Sequence, residues 1–365
     1  MPFKINYKEI KVGVSMQATT LSWNSADIKI LTLVMIIGIT VFCFFLGVPT
    51  LIAQSWLLSP PPISGRTVER DSIQPADVLA RVQLFLQQLA SIRIEMGKPQ
   101  DTRQMHLATN ARPHEVYFQA LTLYIKADRF ALELTGSTGL KPIPVSAEDI
   151  SPYHVWLLVN AAYRRLLVIK TELNIPESFT ERPSPATTTP TEVGRAIVQA
   201  NRQLNVMLQR RFSPSEVFQQ LEAARNYAQA LLKGFGRNQE SSSLPPFQRG
   251  KTPTDVFLQL IRCFEQLEEL AKVSGVSILH LDGTAARKVM PEFQVQPSDV
   301  YDLATLLLSD LAYIHGKKNR EHTLPTVPFP GTKFPSHVFQ LARGLQGQLD
   351  ELYGLARENP DWLSH

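Results

Sequence analysis

Cysteine is almost absent. Two residues, Cys43 and Cys263, occur in 365. One lies in an apolar stretch and the other in a predicted helix, so no disulfide framework is available and burial must hold the fold. A strong charge of either sign is missing too. The net charge is +4 and no dense Lys/Arg run appears, which argues against nucleic acid as a partner. Reactive signatures are lacking as well. There is no Cys-x-x-Cys-His run for covalent haem, no Gly-x-x-x-x-Gly-Lys-Ser/Thr phosphate loop and no Gly-x-Ser-x-Gly elbow. The Glu-x-x-His motif of di-iron bundles is absent. Gly331-Thr332-Lys333 and Asp282-Gly283-Thr284 read as loops without the surroundings that give such residues chemistry. The expectation is a non-enzymatic protein with no cofactor and no metal.

One long stretch lacks charge altogether. Ile30 to Val48 carries none, and no charged residue follows until Arg66. About 20 apolar residues span a bilayer as a helix. Trp23 and Trp56 flank the stretch, where the membrane interface favours indole rings. Lys4, Lys8, Lys11 and Lys29 precede it, which places the N-terminus in the cytoplasm and exports the rest as a periplasmic or extracellular domain. The expected division is a leader over 1–27, a transmembrane anchor over 28–58 and a Pro-rich spacer over 59–73. The rival for the anchor is a cleaved signal sequence with a small-residue site at Ala53-Gln54-Ser55.

What the chain has in quantity is one helix start. Ser213-Pro214-Ser215-Glu216-Val217 places a Ser at N-cap, Pro at N1, Glu at N3 and Val at N4. Phe212 at N′ and Val217 at N4 form a candidate hydrophobic staple. The pattern recurs at Pro75, Pro113, Pro152, Pro190, Pro253, Pro297 and Pro335, always with Val three residues after the Pro. Counting on from each Val, offsets 4, 7, 11 and 14 are apolar in all eight copies. That is the a/d spacing of a helix seam. Each unit is therefore an amphipathic helix of about five to six turns that packs in bundle fashion. Gly97, Gly136, Gly234 and Gly316 fall near the expected C-termini.

The prolines also show a second level. Successive gaps are 38, 39, 38, 24, 39, 44 and 38, and the first four lie 139, 140, 145 and 145 residues from the second four. The simplest account is a tandem duplication. The fold class expected is all-α: a transmembrane helix, then two four-helix bundles over 74–212 and 213–360 with long Pro-rich linkers. An eight-helix single body is the alternative. The linkers run to about 15–23 residues, against a usual 2–8. A linker of that length reaches back along its own helix, so helices of one direction are as open as an up-and-down order. Apolar residues such as Ile143, Leu244, Phe247, Ile278, Leu281, Phe293, Val327 and Phe329 point to linkers that pack on the bundle.

Six aromatic residues follow the motif's Val directly: Tyr117, Trp156, Phe218, Phe257, Tyr301 and Phe339. They form a candidate interaction surface, weighed against a structural role in clamping the returning linkers. His114, His154 and His337 sit at N2 or N3, and read as capping-region residues because no further ligands lie at metal-binding spacing. His280, His315 and His322 read as surface residues, and the Arg164-Arg165 pair as a solvated face. Cys263 falls on the seam as a small core residue. The function expected is a membrane-tethered, exported helical-bundle protein that binds a protein partner in the membrane or envelope. A small-molecule-binding sensory or accessory domain, holding its ligand between helices, is the alternative.

Overall fold

Pro fixes φ and has no N–H, so it sits without cost at the first helical position. Each of the eight expected helices starts there. The computed structural model describes residues 72–102, 108–209, 211–236, 244–289, 294–319 and 327–363. The long helices are α1 (Pro75–Glu95), α2 (Pro113–Thr135), α3 (Pro152–Glu172), α4 (Pro190–Met207), α5 (Pro214–Gly234), α6 (Pro253–Val273), α8 (Pro297–Lys318) and α9 (Pro335–Glu358). A short α7 (Gly283–Val289) and a two-residue antiparallel pair, β1 (Ala108–Thr109) with β2 (His280–Leu281), complete the set. The protein is all-α in class. Leader and anchor, with Trp23 and Trp56, lie outside the described residues, as do most of the spacer, Phe293 and His322. Among the described residues no helix is long and apolar enough to cross a membrane.

One side of the capping box is universal. The N3 side chain accepts the N-cap backbone N–H in all eight helices, for example Gln74 to Asp77 Oδ2 at 2.8 Å and Ser213 to Glu216 Oε2 at 2.7 Å. Where His stands at N3, its Nδ1 is the acceptor, at 3.1 Å for both Ser151 to His154 and Phe334 to His337. The reciprocal bond, from the N3 N–H to the N-cap hydroxyl, occurs at Thr189 and Thr252 (3.3 Å each). Ser213 differs from expectation: its hydroxyl donates to Glu216 Oε2 at 3.0 Å instead of accepting. Gly97 and Gly136 do end their helices in the left-handed region, at φ +60° and +70°. Gly234 and Gly316 remain helical, and Gly236 takes the left-handed turn after α5.

The seam is buried as its spacing requires. All 32 residues at offsets 4, 7, 11 and 14 are 1% exposed or less. In the first quartet α1 packs on α3 and α4, and α2 packs on the same two. In the second, α5 packs on α8 and α9, and α6 packs on those two. The ring order is the same in both. Direction is the more unusual feature. Pro75, Val78, Pro113, Val116, Pro152, Val155, Pro190 and Val193 together line one small apolar cavity of about 20 Å³. All four helices of the first quartet therefore begin at one end and run in parallel. In the second, Lys251 N–H donates to Ser336 Oγ at 3.2 Å, Lys333 N–H donates to Ser215 Oγ at 2.9 Å, and Phe212 packs on Tyr301. Those contacts again gather the helix starts.

Parallel helices bring like dipole ends together, and acids at N3 offset the converging positive ends. Hydrogen bonds from the Thr189 backbone and hydroxyl hold the Glu192 carboxyl below the usual range. The Thr252 hydroxyl, then its N–H, does the same for Asp255. A depressed carboxyl contributes stability above its unfolded value, near 4, that is lost as pH falls through the folded value. A Glu192→Gln/Asp255→Asn variant should therefore lose less stability than its parent between pH 7 and pH 3. Urea midpoints at the two pH values check this, and an unchanged difference would refute it.

Linkers return along the helices and are strapped to them by side chains. Tyr124 Oη donates to Leu140 O, Gln340 Nε2 to Pro245 O and Gln219 Nε2 to Val327 O, at 2.5–2.8 Å. Packing of their apolar residues is partial. Ile278, Leu281 and Val327 are buried, whereas Ile143, Leu244, Phe247 and Phe329 are exposed. Asp282-Gly283-Thr284, read from sequence as a loop, starts α7: Asp282 Oδ1 accepts the Ala285 N–H at 2.8 Å. A Cβ at Gly283 would push the end of the Glu265 side chain aside and press on Ile261 of α6.

Candidate functional site at the joint between the quartets

A helix apolar on all sides belongs in the interior, and α8 reads that way, with Leu303, Leu306, Leu308 and Ala312 off its seam. Eighteen of its 22 residues are buried. Its outer face meets α2 of the first quartet. The two run antiparallel, since His114 reaches Asp310 while Gln119 and Lys126, further along α2, reach Asp302.

The polar groups in this joint are specific. Lys126, fully buried, pairs with Asp302 at 2.9 Å. Burial pushes both toward their neutral forms, Lys126 down and Asp302 up, and each holds the other charged. Gln119 Nε2 donates to the Asp302 carbonyl at 3.0 Å. The tight connection between the quartets is pinned here too. Phe212 is buried against Tyr301, the Arg129 guanidinium lies 4.4 Å from its ring centroid, and Arg129 pairs with Glu216. The β1–β2 pair ties the linker after α1 to the linker after α6.

Beside these contacts lies a cleft of about 360 Å³. Glu115, Val116 and Gln119 line it from α2, Gly194, Val198 and Arg202 from α4, Asp299, Asp302 and Leu303 from α8, and Leu279 and Leu281 from the strand segment. Its walls are apolar with polar groups set among them. Gln119 is 2% exposed, and its Oε1 has no hydrogen-bond partner among the described residues.

Behind the Glu115 wall is a cluster of three buried groups. His114 Nε2 lies 3.1 Å from Asp310 Oδ1 and 3.4 Å from Glu115 Oε1. The imidazole stacks on Tyr313 with centroids 4.0 Å apart. Glu115 Oε1 also accepts the Leu279 N–H at 2.6 Å. Burial disfavours a charged imidazole, but the hydrogen bonds to Asp310 and Glu115 outweigh it and raise His114 to about 9. Burial, then the neighbouring Glu115 charge, pushes the Asp310 carboxyl well up.

The six aromatic residues do not form an exposed surface. Tyr117, Trp156, Phe257 and Tyr301 are buried. Phe218 and Phe339 are half-buried, and each lies under a lysine, Lys333 at 4.8 Å and Lys251 at 4.4 Å. Rings placed beside the seam cover more apolar area inside than outside. His114, taken from sequence as a capping-region residue, is instead part of the interhelical cluster. His315 is buried against Tyr227, not on the surface, and Arg165 is buried against Asp128 and the Ser137 carbonyl. Cys263 is fully buried and its thiol is pushed up to about 12 by burial, which leaves it unreactive in the folded protein.

A signal for the buried polar groups was present in the repeat. Ten residues after each motif Val stand Gln88, Lys126, Arg165, Gln203, Tyr227, Gln266, Asp310 and Gln348, all able to hydrogen-bond. Six of the eight are buried. Two of them, Lys126 and Asp310, supply the joint between the quartets, and Gln203 exchanges two hydrogen bonds with the Asp101 backbone beside the cleft. A polar type held at one register through eight copies marks a structural position as clearly as an apolar one. No protein-family model, no curated protein and no solved structure matches this chain.

Proposed function

We propose that this chain is a non-enzymatic, membrane-tethered exported protein whose two duplicated four-helix bundles hold a small molecule in the cleft at their joint. The cleft carries the reading. Its volume falls within the roughly 300–1,000 Å³ usual for ligand sites, and it lies at a junction of packed units, where such sites concentrate. Val116, Val198, Leu303 and Phe257 supply apolar walls, and Gln119, on the same wall, has an Oε1 acceptor with no partner among the described residues. The ligand class is a small amphipathic molecule with a hydrogen-bond donor. Residues 28–58 serve as the bilayer anchor. In this reading a bound state is passed to a protein partner in the membrane or envelope. This reading is favoured over a pure scaffold because the aromatic rings that would have formed a docking face are mostly inside.

The test is to fill the cleft. Gly194 sits on α4 in the cleft wall, and a Cβ there would make only an ordinary contact with Val116, at 3.6 Å. Gly194→Leu should fold at least as well, since Gly costs a helix interior about 0.5–1 kcal/mol relative to Ala. The full chain, extracted in detergent, should carry or take up a small molecule by native mass spectrometry and thermal shift against a metabolite library, and Gly194→Leu should lose it. A wild-type chain that shows no saturable ligand, or a variant that binds equally, overturns the reading.

A further inference from the structure

We propose that His114, Glu115 and Asp310 form a binding site for one divalent first-row transition ion that bridges the two quartets. The inference is independent of the cleft ligand. The three candidate donor atoms, one from each residue, lie within 4.8 Å of one another, and all three residues are buried. Ligands about 2.0–2.1 Å from a tetrahedral ion stand about 3.3–3.4 Å apart. The 3.1 and 3.4 Å separations from His114 Nε2 to the two carboxylates match those edges.

Hydrogen bonding alone leaves the cluster incomplete. One ring nitrogen carries one proton, and that proton faces two carboxylates. Asp310 is 0% exposed, yet its Oδ2 has no hydrogen-bond partner among the described residues. Charge tells the same story. An imidazolium with two carboxylates is neutral only if one carboxyl keeps a proton. A divalent ion with a neutral imidazole and two carboxylates sums to zero. The donor set of one imidazole nitrogen and two carboxylate oxygens suits Zn²⁺, Mn²⁺ or Fe²⁺ better than Mg²⁺ or Ca²⁺, which prefer oxygen alone.

Second-sphere groups are in place. Tyr313 fixes the imidazole plane by stacking, and the Leu279 N–H orients the Glu115 carboxylate. Glu115 also lines the cleft, which gives an entry path. Because His114 and Glu115 come from α2 and Asp310 from α8, the ion would fasten one quartet to the other.

The experiment uses the full chain in detergent, stripped with chelator and titrated with Zn²⁺. One equivalent should bind by elemental analysis and raise the thermal midpoint, while Mg²⁺ at the same concentration should not. Asp310→Asn and His114→Gln should each weaken Zn²⁺ binding by about tenfold or more. Glu265→Gln, which breaks only the exposed pair with Arg287, should not. X-ray absorption of the wild-type zinc complex keeps the question decidable if the variants misfold: it should show one imidazole nitrogen with oxygen donors. Failure to take up stoichiometric Zn²⁺, wild-type affinity in both folded variants, or a coordination shell without nitrogen overturns the site.

Discussion

Lys126→Met is expected to destabilise the protein by about 3–5 kcal/mol. Lys126 is fully buried and pairs with Asp302 across the joint of the two quartets. The methionine keeps the length and apolar volume of the stem and removes only the ammonium. What remains is a buried carboxylate without its counter-charge, and that penalty exceeds any gain from the added thioether contacts. Asp302→Asn in the Lys126→Met background should recover roughly half of the loss, since the charge that lacked a partner is gone. The deficit of the single variant should also shrink as pH falls, because a proton on Asp302 does the same work as the amide. Urea unfolding of the parent, single and double variants decides the matter. A single-variant loss under about 1 kcal/mol would show the pair to be solvated in the folded protein.

Trp156→Ala should cost about as much, roughly 3–5 kcal/mol. Trp156 is 1% exposed and is among the largest fully buried side chains. Its ring is also one of two plates around a buried cation: the Arg81 guanidinium lies 5.6 Å from the Trp156 centroid and 5.3 Å from that of Tyr163. Arg81 in turn donates to Asn160 Oδ1 at 2.9 Å and pairs with Glu181 on the linker returning from α3. Loss of the indole therefore opens a cavity and strips one face from a desolvated charge. Phe218→Ala, at the same register of α5 but only half-buried beneath Lys333, should cost less than half as much. Equal and small effects at both positions would return the aromatic set to the surface role that burial denies it.

The contrast shows what the sequence could and could not tell. Helices were legible because two independent devices agree eight times. A Pro at N1 with Val at N4 marks the start, and an apolar a/d series, such as Leu221, Ala224, Ala228 and Leu231, marks the seam. Direction was not legible. Linkers long enough to return permit either sense, and the convergence of Pro75, Pro113, Pro152 and Pro190 at one cavity is a tertiary fact. The site was legible only in part. Burial of Lys126 and Asp310 could have been read from the polar register they share with Gln88 and Gln203. Their partners could not, because His114 and Asp302 come from different quartets and meet only through the antiparallel docking of α2 on α8. Arg165 misled for a related reason: beside Arg164 it resembled a solvated pair, yet one helical step of about 100° separates an outward side chain from an inward one.

The shared starting end of each helix set has a consequence for how the chain is made. Parallel neighbours cannot form a hairpin, and among the described residues α1 packs on α3 and α4 rather than on the helix that follows it. During synthesis the apolar stripe of α1 therefore stays uncovered until α3 has emerged, and it closes fully only with α4. The second set repeats this delay, since α5 waits for α8 and α9. Local hairpins, the usual fast route for helical proteins, are not on offer, and each set must close through contacts distant in sequence, which slows folding. The nascent chain thus passes twice through a stage in which a long greasy helix has no intramolecular cover, and those two windows are where a holding chaperone has most to protect.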